Sequence, residues 1–197
     1  MTIIYLVRHA ESPHLFGQER TRGLTEAGWT ATKAVTKCLE EEQIDAVVSS
    51  AYTRAVQTVE GIAVKKGLTV QTYEGLIERP IKGLDYKLPE QELFDAIERS
   101  FADPDYCLPG GETMREAQDR SIPIMRELLS DYRDGAIVLG THGTIMTVIL
   151  HYFDSNYAFD FWKSTTKPDI YKLTFQEEQL IDVSRVWESS EQTKFVR

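Results

Sequence analysis

Two histidines in this chain each follow an apolar run that is typical of a buried β-strand. Arg8-His9-Ala10-Glu11 comes directly after the run 3–7, and Thr141-His142-Gly143 comes directly after the run 136–140. Such runs are typical of strands that are buried on both faces of a parallel sheet, and ligands bind past the carboxyl ends of these strands. We therefore expect one edge of a sheet to present two imidazoles and a guanidinium group to a ligand.

Arg54 adds a second guanidinium group to this edge. It follows a third predicted strand, in Ser49-Ser50-Ala51-Tyr52-Thr53-Arg54, and falls in the first turn of a helix, while Gly143 begins another helix. Helix N-termini have free backbone N–H groups and favour anions, and guanidinium groups match the oxygens of a phosphate. Arg8, Arg54 and Gly143 therefore predict a phosphate pocket.

A histidine in such a pocket can act as a nucleophile. The neutral ring of His9 can attack phosphorus if its other ring nitrogen is held as N–H by a carbonyl or a carboxylate. Glu78, after the predicted strand 68–73, can protonate the departing oxygen and later activate water. Taken alone, His9 would more often be a structural histidine, and Glu78 is open to a second interpretation as a solvated carboxylate beside Arg79.

The segments around these residues resemble the histidine phosphatase superfamily, in its phosphoglycerate mutase-like branch. They occur in the family's order over residues 3–150, and they are Arg8-His9-Ala10-Glu11-Ser12, Leu24-Thr25-Glu26-Ala27-Gly28, the run 49–58, Leu76-Ile77-Glu78, Gly110-Gly111-Glu112-Thr113 and Thr141-His142-Gly143. The resemblance implies that His9 is the phosphorylated nucleophile and that Arg8, Arg54 and His142 bind the phosphoryl group. It also implies that Glu78 is the acid and base, and that no metal and no nucleotide cofactor take part.

The sequence departs from the family pattern near the nucleophile. Many members have an asparagine six residues after it, where this chain has Leu15. The missing phosphate contact would then come from Ser12, Gln18 or Arg22. We favour Arg22, because a cation just before Gly23-Leu24-Thr25 would face the mouth of the pocket.

Two further departures concern the proton donor and the class of reaction. His142 is followed by Gly143, where the acid phosphatase and phytase branch has an aspartate, and this assigns proton donation to Glu78. The segment 79–110 also lacks the longer basic, tyrosine-bearing insertion expected around a phosphoglycerate. This absence argues against glycolytic mutase activity.

Predicted strands alternate with predicted helices along the chain. The strands cover about 2–8, 44–50, 68–73 and 136–141, and an antiparallel pair covers 170–175 and 180–186. The helices cover about 25–42, 52–66, 90–101, 113–132 and 143–152. Together with the resemblance, this predicts an α/β fold, a three-layer α/β/α sandwich with a mostly parallel sheet and an antiparallel edge. A length of 197 residues predicts a single domain over 1–197.

Composition limits the partners. A formal net charge of −9 argues against nucleic acid and anionic membranes, whereas local arginines still permit a small phosphorylated substrate. Cys38 and Cys107 lack metal-ligand spacing and predict buried thiols rather than a disulfide. No signal-peptide pattern and no apolar stretch of membrane-spanning length are present, so we expect a cytoplasmic protein. No pattern in the sequence indicates an oligomeric state.

These observations predict a phosphomonoester hydrolase that works through a phosphohistidine on His9. Two other functions stay open. A phosphoglycerate mutase would share the intermediate and return the phosphoryl group to a hydroxyl, and the two enzymes differ in whether water is excluded. A regulatory domain would bind phosphate without turnover, although the intact set of His9, Arg8, Arg54, Glu78 and His142 argues against it. The irregular segments 11–23 and 79–110 contain no motif that identifies a leaving group.

Overall fold

The computed structural model describes residues 1–187 as a six-stranded sheet with helices on both faces. The strands are β1 (Thr2–Arg8), β2 (Ala46–Ser50), β3 (Val70–Tyr73), β4 (Ala136–Thr141), β5 (Asp169–Gln176) and β6 (Gln179–Arg185). Their order is β3-β2-β4-β1-β5-β6. The first four are parallel, and β5 and β6 are antiparallel at one edge. The predicted fold class is confirmed.

Two layers of helices cover the sheet. The helices are α1 (Glu26–Cys38), α2 (Thr53–Lys66), α3 (Glu90–Ala102), α4 (Met114–Asp131), α5 (Gly143–Phe153) and α6 (Phe159–Ser164), and a 3-10 turn covers Glu74–Leu76. Successive side chains of a strand point to opposite faces. Ile4 and Leu6 of β1 therefore pack in the core that contains α4 and α5, whereas Tyr5 and Val7 pack in the core that contains α1 and α2.

The predicted helix boundaries are right where the sequence provides a cap. The Thr25 side chain accepts a hydrogen bond from the amide of Gly28 and begins α1, and left-handed Gly67 ends α2. Thr113 and Glu116 form a capping box at the start of α4. Side chains that satisfy the free backbone groups of a first turn define where a helix begins.

Two local predictions are wrong, and one helix was not predicted. Helix α1 ends at Cys38, short of the predicted 42, because the acidic residues 40–42 oppose the negative end of the helix dipole. Helix α6 has no side-chain cap and gives no sequence signal; it is stabilised by tertiary packing, with Trp162 edge-on to Phe94 at 5.2 Å between ring centroids. Cys38 is exposed and Cys107 half-buried, so they are not two buried thiols.

The chain connections create a crevice at the carboxyl ends of β1 and β4. From β1 the chain passes over β4 to reach β2, and from β4 it passes over β1 to reach β5. Neighbouring strands whose connections leave in opposite directions form a topological switch point, where ligands of open α/β sheets bind.

None of the helices within residues 1–187 combines the length and the hydrophobicity that crossing a membrane requires.

Candidate active site

His9 and His142 lie side by side in the crevice between β1 and β4. Arg8 pairs with Thr141 across the two strands, and the amide of His9 donates to the carbonyl of Thr141 at 2.9 Å. The two imidazole rings meet edge-on, with centroids 5.2 Å apart. The structure therefore brings together the two histidines that the sequence places at strand ends.

The His9 ring is held in one tautomer by its own neighbour. Its Nδ1 lies 2.7 Å from the carbonyl oxygen of Ala10. A carbonyl can only accept, so Nδ1 carries the hydrogen and Nε2 keeps its lone pair. Burial of the ring, together with the positive charge of Arg54, lowers the pKa of His9 well below its ordinary value. The ring is therefore neutral near pH 7, and its Nε2 can attack an electrophile.

His142 is fully buried beside Ser50. Its Nε2 lies 2.7 Å from the Ser50 hydroxyl, and its buried Nδ1 meets no hydrogen-bond partner within residues 1–187. Burial, and then the charge of Arg54, lower the pKa of His142 well below its ordinary value. A neutral ring whose Nε2 accepts from Ser50 has one N–H left, at Nδ1, to offer to a ligand.

Arg54 is only 1% exposed, although it carries a charge. Its Nη1 donates to the carbonyl of Glu19 at 2.6 Å, and its Nη2 lies 3.3 Å from the carboxylate of the same residue. Burial lowers the pKa of Arg54 to about 10, so the group is a cation near pH 7. Its buried Nε has no hydrogen-bond acceptor in the described part of the chain.

Arg8 is held by the segment that precedes β5, the strand next to β1. Its Nη1 donates to the carbonyl of Thr165 at 3.1 Å and to the Thr165 hydroxyl. A side chain on Gly143 would collide with it, since an added Cβ would lie 2.7 Å from Nη2 of Arg8. That Gly143 contacts the substrate stays a prediction; in the structure the absence of a side chain there makes room for the Arg8 guanidinium. The Nε of Arg8 is buried and finds no acceptor among residues 1–187.

Glu78 lies against the N-terminus of α5. Its Oε1 accepts from the amides of Ile145 at 2.8 Å and Arg79 at 2.9 Å, and its Oε2 accepts from the amide of Thr144 at 3.2 Å. Free amides at this helix N-terminus, where the sequence predicts a phosphate, donate to the carboxyl group of Glu78, and the phosphate contact stays a prediction. Glu78 belongs to the crevice, while the Arg79 side chain turns away to Ser100 and to the carbonyls of Glu112 and Tyr106.

Ser12 and Arg22 contact each other in the loop between β1 and α1. The Ser12 hydroxyl donates to the carbonyl of Gly23 at 2.7 Å and accepts from Nη1 of Arg22 at 2.7 Å. Nη2 of Arg22 lies 3.2 Å from the Glu19 carboxylate. Arg22 is close enough to Arg54 for its charge to lower the pKa of Arg54. Arg22 therefore lies beside the pocket, with Ser12 supporting it, while Leu15 is 40% exposed.

Lys167 is a further cation at the mouth of the crevice. It precedes β5, whose first residue, Asp169, pairs directly with Arg8. Its charge reaches His9 and lowers the pKa of that ring. Lys167 is exposed; desolvation, and after it the charges of Arg8 and Arg22, lower its pKa, while the nearby Glu78 raises it.

Sequence reasoning missed Glu19, Thr165 and Lys167. Glu19 lies in an irregular loop without a motif, and nothing in the sequence distinguishes it from a solvated carboxylate. For Thr165 and Lys167, the order of the strands in the sheet would have been a signal. If β5 had been placed beside β1, the residues just before β5 would have been expected next to Arg8.

Across residues 1–187, no group of three or more His, Cys, Asp or Glu side chains is arranged to hold a metal ion.

Comparison with solved structures finds the same fold in phosphatases and in a mutase. A mycobacterial glucosyl-3-phosphoglycerate phosphatase in complex with VO3 is 20% identical, with a TM-score of 0.75 over 93% of this chain and 97% of that one. An Entamoeba histolytica phosphoserine phosphatase mutant is 21% identical, with a TM-score of 0.74 over 94% and 96%. A Bacillus anthracis phosphoglycerate mutase is 15% identical, with a TM-score of 0.74 over 91% and 90%. At these identities the likeness shows the fold.

The family follows from a match to the sequence itself. A search of curated proteins finds no match to this chain. The family model of the histidine phosphatase superfamily (branch 1) matches residues 4–185, a span that includes every site residue described above. The chain therefore belongs to the histidine phosphatase superfamily.

Proposed function

We propose that this protein is a phosphomonoester hydrolase that takes the phosphoryl group onto Nε2 of His9. The observation that carries the proposal is the neutral His9 ring, oriented through Ala10, beside buried nitrogens of Arg8, Arg54 and His142 that have no partner within residues 1–187. An unsatisfied buried donor costs about 1–3 kcal/mol. A phosphoryl group in the crevice would satisfy all three and recover that free energy.

The same groups would stabilise the transition state. As the bond from phosphorus to the leaving oxygen stretches, negative charge develops on the three non-bridging oxygens. Arg8 and Arg54 would neutralise this charge, and Nδ1 of His142 would donate a hydrogen bond to it. Because the surrounding protein already holds these donors, little reorganisation accompanies the reaction.

Glu78 would supply the proton for the leaving group. We place that proton on Oε2, because Oε1 already accepts two amide hydrogen bonds and Oε2 accepts one. After the alcohol departs, the ionised carboxylate would take a proton from water as water attacks phospho-His9. Since guanidinium groups supply the positive charge, the proposed reaction needs neither a metal ion nor another cofactor.

The setting of this activity is also a proposal. We propose that residues 1–197 act as one domain on a small phosphorylated substrate, in the cytoplasm and without nucleic acid or membrane partners. An overall charge of −9 is unfavourable for polyanionic partners, whereas the buried arginines act locally.

The first experiment measures hydrolysis of 4-nitrophenyl phosphate in the presence of a chelator, for the wild type and for His9→Ala. We expect metal-independent turnover in the wild type and a loss of at least about 10⁴-fold in the variant, as for other nucleophile deletions. Circular dichroism shows whether the variant is folded. Equal turnover by both proteins would assign a different nucleophile. A folded wild type without turnover would favour the mutase or the phosphate-binding domain.

A second experiment tests Glu78. Glu78→Gln should lower kcat/KM for an alkyl phosphate by about 10²–10⁴-fold, the usual contribution of a general acid. The loss should be smaller for 4-nitrophenyl phosphate, whose leaving group needs little protonation. The matched control is Glu127→Gln, on an exposed part of α4. Equal losses on both substrates would contradict proton donation by Glu78.

A further inference from the structure

Glu78 lies in the segment 75–80, which we call the acid segment. After the 3-10 turn that ends at Leu76, this segment belongs to no helix or strand of residues 1–187. It differs in this from His9, whose amide donates to Thr141 of β4. A general acid has to lie within hydrogen-bond reach of the leaving oxygen. The position of Glu78 therefore depends on the groups that hold the acid segment.

The backbone of Glu112 holds the C-terminal end of the acid segment. Its amide donates to the carbonyl of Pro80 at 2.7 Å, and its carbonyl accepts from Nε of Arg79 at 2.9 Å. Arg79 is only 2% exposed, so its side chain is buried together with this contact. The neighbouring Gly111 lies so close that an added Cβ would be 2.3 Å from the carbonyl oxygen of Ile81. Two backbones in direct contact leave this end of the segment little freedom to move.

The carboxylate of Glu112 holds the N-terminal end of the acid segment through Arg120 of α4. Its two oxygens accept from Nε and Nη2 of Arg120 at 2.6 and 2.8 Å, and Nη1 of the same guanidinium donates to the carbonyl of Gly75 at 2.7 Å. A bidentate pair of this kind fixes the geometry of both partners. Gly75 also touches α4 directly, since an added Cβ would lie 2.7 Å from the carbonyl oxygen of Arg120.

We propose that Glu112 is a positioning residue for the general acid Glu78. It contacts the acid segment at both ends, directly through its backbone and indirectly through Arg120. It acts on the backbone that carries Glu78 and takes no part in the chemical step. This role accounts for the motif 110–113, which the proposed reaction does not otherwise use. The inference rests on the proposed phosphatase function and deepens it, because it concerns the same site.

The test compares two esters of similar size that depend differently on a proton donor. The 4-nitrophenolate group leaves with little protonation, whereas the alkoxide of benzyl phosphate needs a proton. The measured quantity is kcat/KM for 4-nitrophenyl phosphate divided by kcat/KM for benzyl phosphate. Glu78→Gln should raise this ratio, because it removes the acid. Glu112→Gln should also raise it, by about 5- to 10-fold, because a misplaced acid transfers its proton less well. A loss of structure alone would lower both values alike and leave the ratio unchanged.

A second variant breaks the same ion pair from the side of α4. Arg120→Gln should raise the ratio as Glu112→Gln does, and the double variant should raise it no further than Arg120→Gln alone, since both changes remove one shared contact. The matched control is Asp105→Asn, which removes a bidentate pair with Arg115 at 2.8 and 3.1 Å. That pair also joins a loop to α4, but both of its side chains are exposed, so this variant should keep the wild-type ratio.

The possible results distinguish this proposal from the proposed function. Circular dichroism identifies the folded variants, and either Glu112→Gln or Arg120→Gln suffices for the test. A wild-type ratio in these variants, or an equal rise in Asp105→Asn, would overturn the positioning role and leave the phosphatase function intact. If Glu78→Gln kept the wild-type ratio, Glu78 would not be the acid, and the positioning role would fall with that assignment. A wild type that hydrolyses neither ester would overturn the phosphatase function as well.

Discussion

The pocket has a floor and a rim that are held in different ways. The floor consists of Arg8, His9, Arg54 and His142, which lie at strand ends or in the first turn of α2. The rim consists of Glu19, Arg22, Thr165 and Lys167, which lie in connecting segments. Backbone ladders of the parallel sheet fix the floor, as when the His9 amide donates to Thr141. Side-chain contacts hold the rim, between distant segments for Thr165 with Arg8 and for Glu19 with Arg54, and within one loop for Arg22.

This difference separates the parts of the molecule that would perform chemistry from those that would select a substrate. Phosphoryl transfer requires donors that are preorganised around the phosphorus, and elements of the sheet provide such precision. Selection of a leaving group can change by changing loops, which tolerate variation in sequence. We therefore expect changes in the floor to reduce turnover of all substrates, and changes in the rim to alter the ranking of substrates.

A matched pair of arginine variants gives the largest expected contrast. Arg54→Gln should lower kcat for 4-nitrophenyl phosphate by about 10²–10³-fold, the usual loss when one preorganised donor is removed. Arg22→Gln should lower it by about tenfold, because Arg22 is held by its own loop, through Ser12 and Glu19. Thermal unfolding shows that both variants are folded. Equal losses would show that Arg22 contributes to catalysis as much as Arg54 does, and that the loop 11–24 is part of the floor.

The floor could be predicted because its signals are local in the sequence. An apolar run that ends in Arg8-His9, and another that ends in His142, indicate both the strand and its functional end. Arg54 falls in the first turn after a third strand for the same reason. A buried parallel strand must be apolar throughout, so the first polar residues after it mark the edge of the sheet. The order of the motifs, which resembles that of the family, then implied that these strand ends lie next to each other.

The rim could not be predicted in the same way. The contact between Arg8 and Thr165 joins residues that are 157 positions apart, and it exists because β5 lies beside β1 in the sheet. The sequence predicted an antiparallel pair at one edge of the sheet, but it did not indicate which strand lies next to that pair. Glu19 has no signal at all, since its role depends on how an irregular loop folds over Arg54. Helix α6, which ends just before Thr165, depends on packing rather than on propensity.

A substitution at Gly143 tests the contact between the floor and the rim. Gly143→Ala adds a methyl group 2.7 Å from Nη2 of Arg8 and should displace the guanidinium, so we expect kcat/KM to fall about tenfold. Thr165→Val removes the hydroxyl that holds Arg8 from the rim and should give a smaller loss. Because both changes act through Arg8, the double variant should lose less than the product of the two effects. Independent, multiplicative losses would show that Thr165 does not position Arg8.

The smallest expected effect concerns stability and distinguishes a floor histidine from a loop histidine. The pKa values of His9 and His142 are lowered in the folded protein, mainly by burial. Below about pH 6.5 the unfolded chain binds protons on these residues that the folded chain does not bind, so the free energy of unfolding falls as the pH falls. Each contributes a slope of at most about 1.4 kcal/mol per pH unit.

Chemical denaturation between pH 5.5 and 7.5, in buffer without phosphate, measures this slope. His9→Asn should reduce this slope by the contribution of one histidine. The control His14→Asn should leave it unchanged, because the His14 side chain is 83% exposed in the loop after β1. If His9→Asn and the wild type had the same slope, His9 would take up its proton in the folded protein as easily as in the unfolded chain. The neutral ring that the proposed nucleophile requires would then be lost in mildly acidic solution.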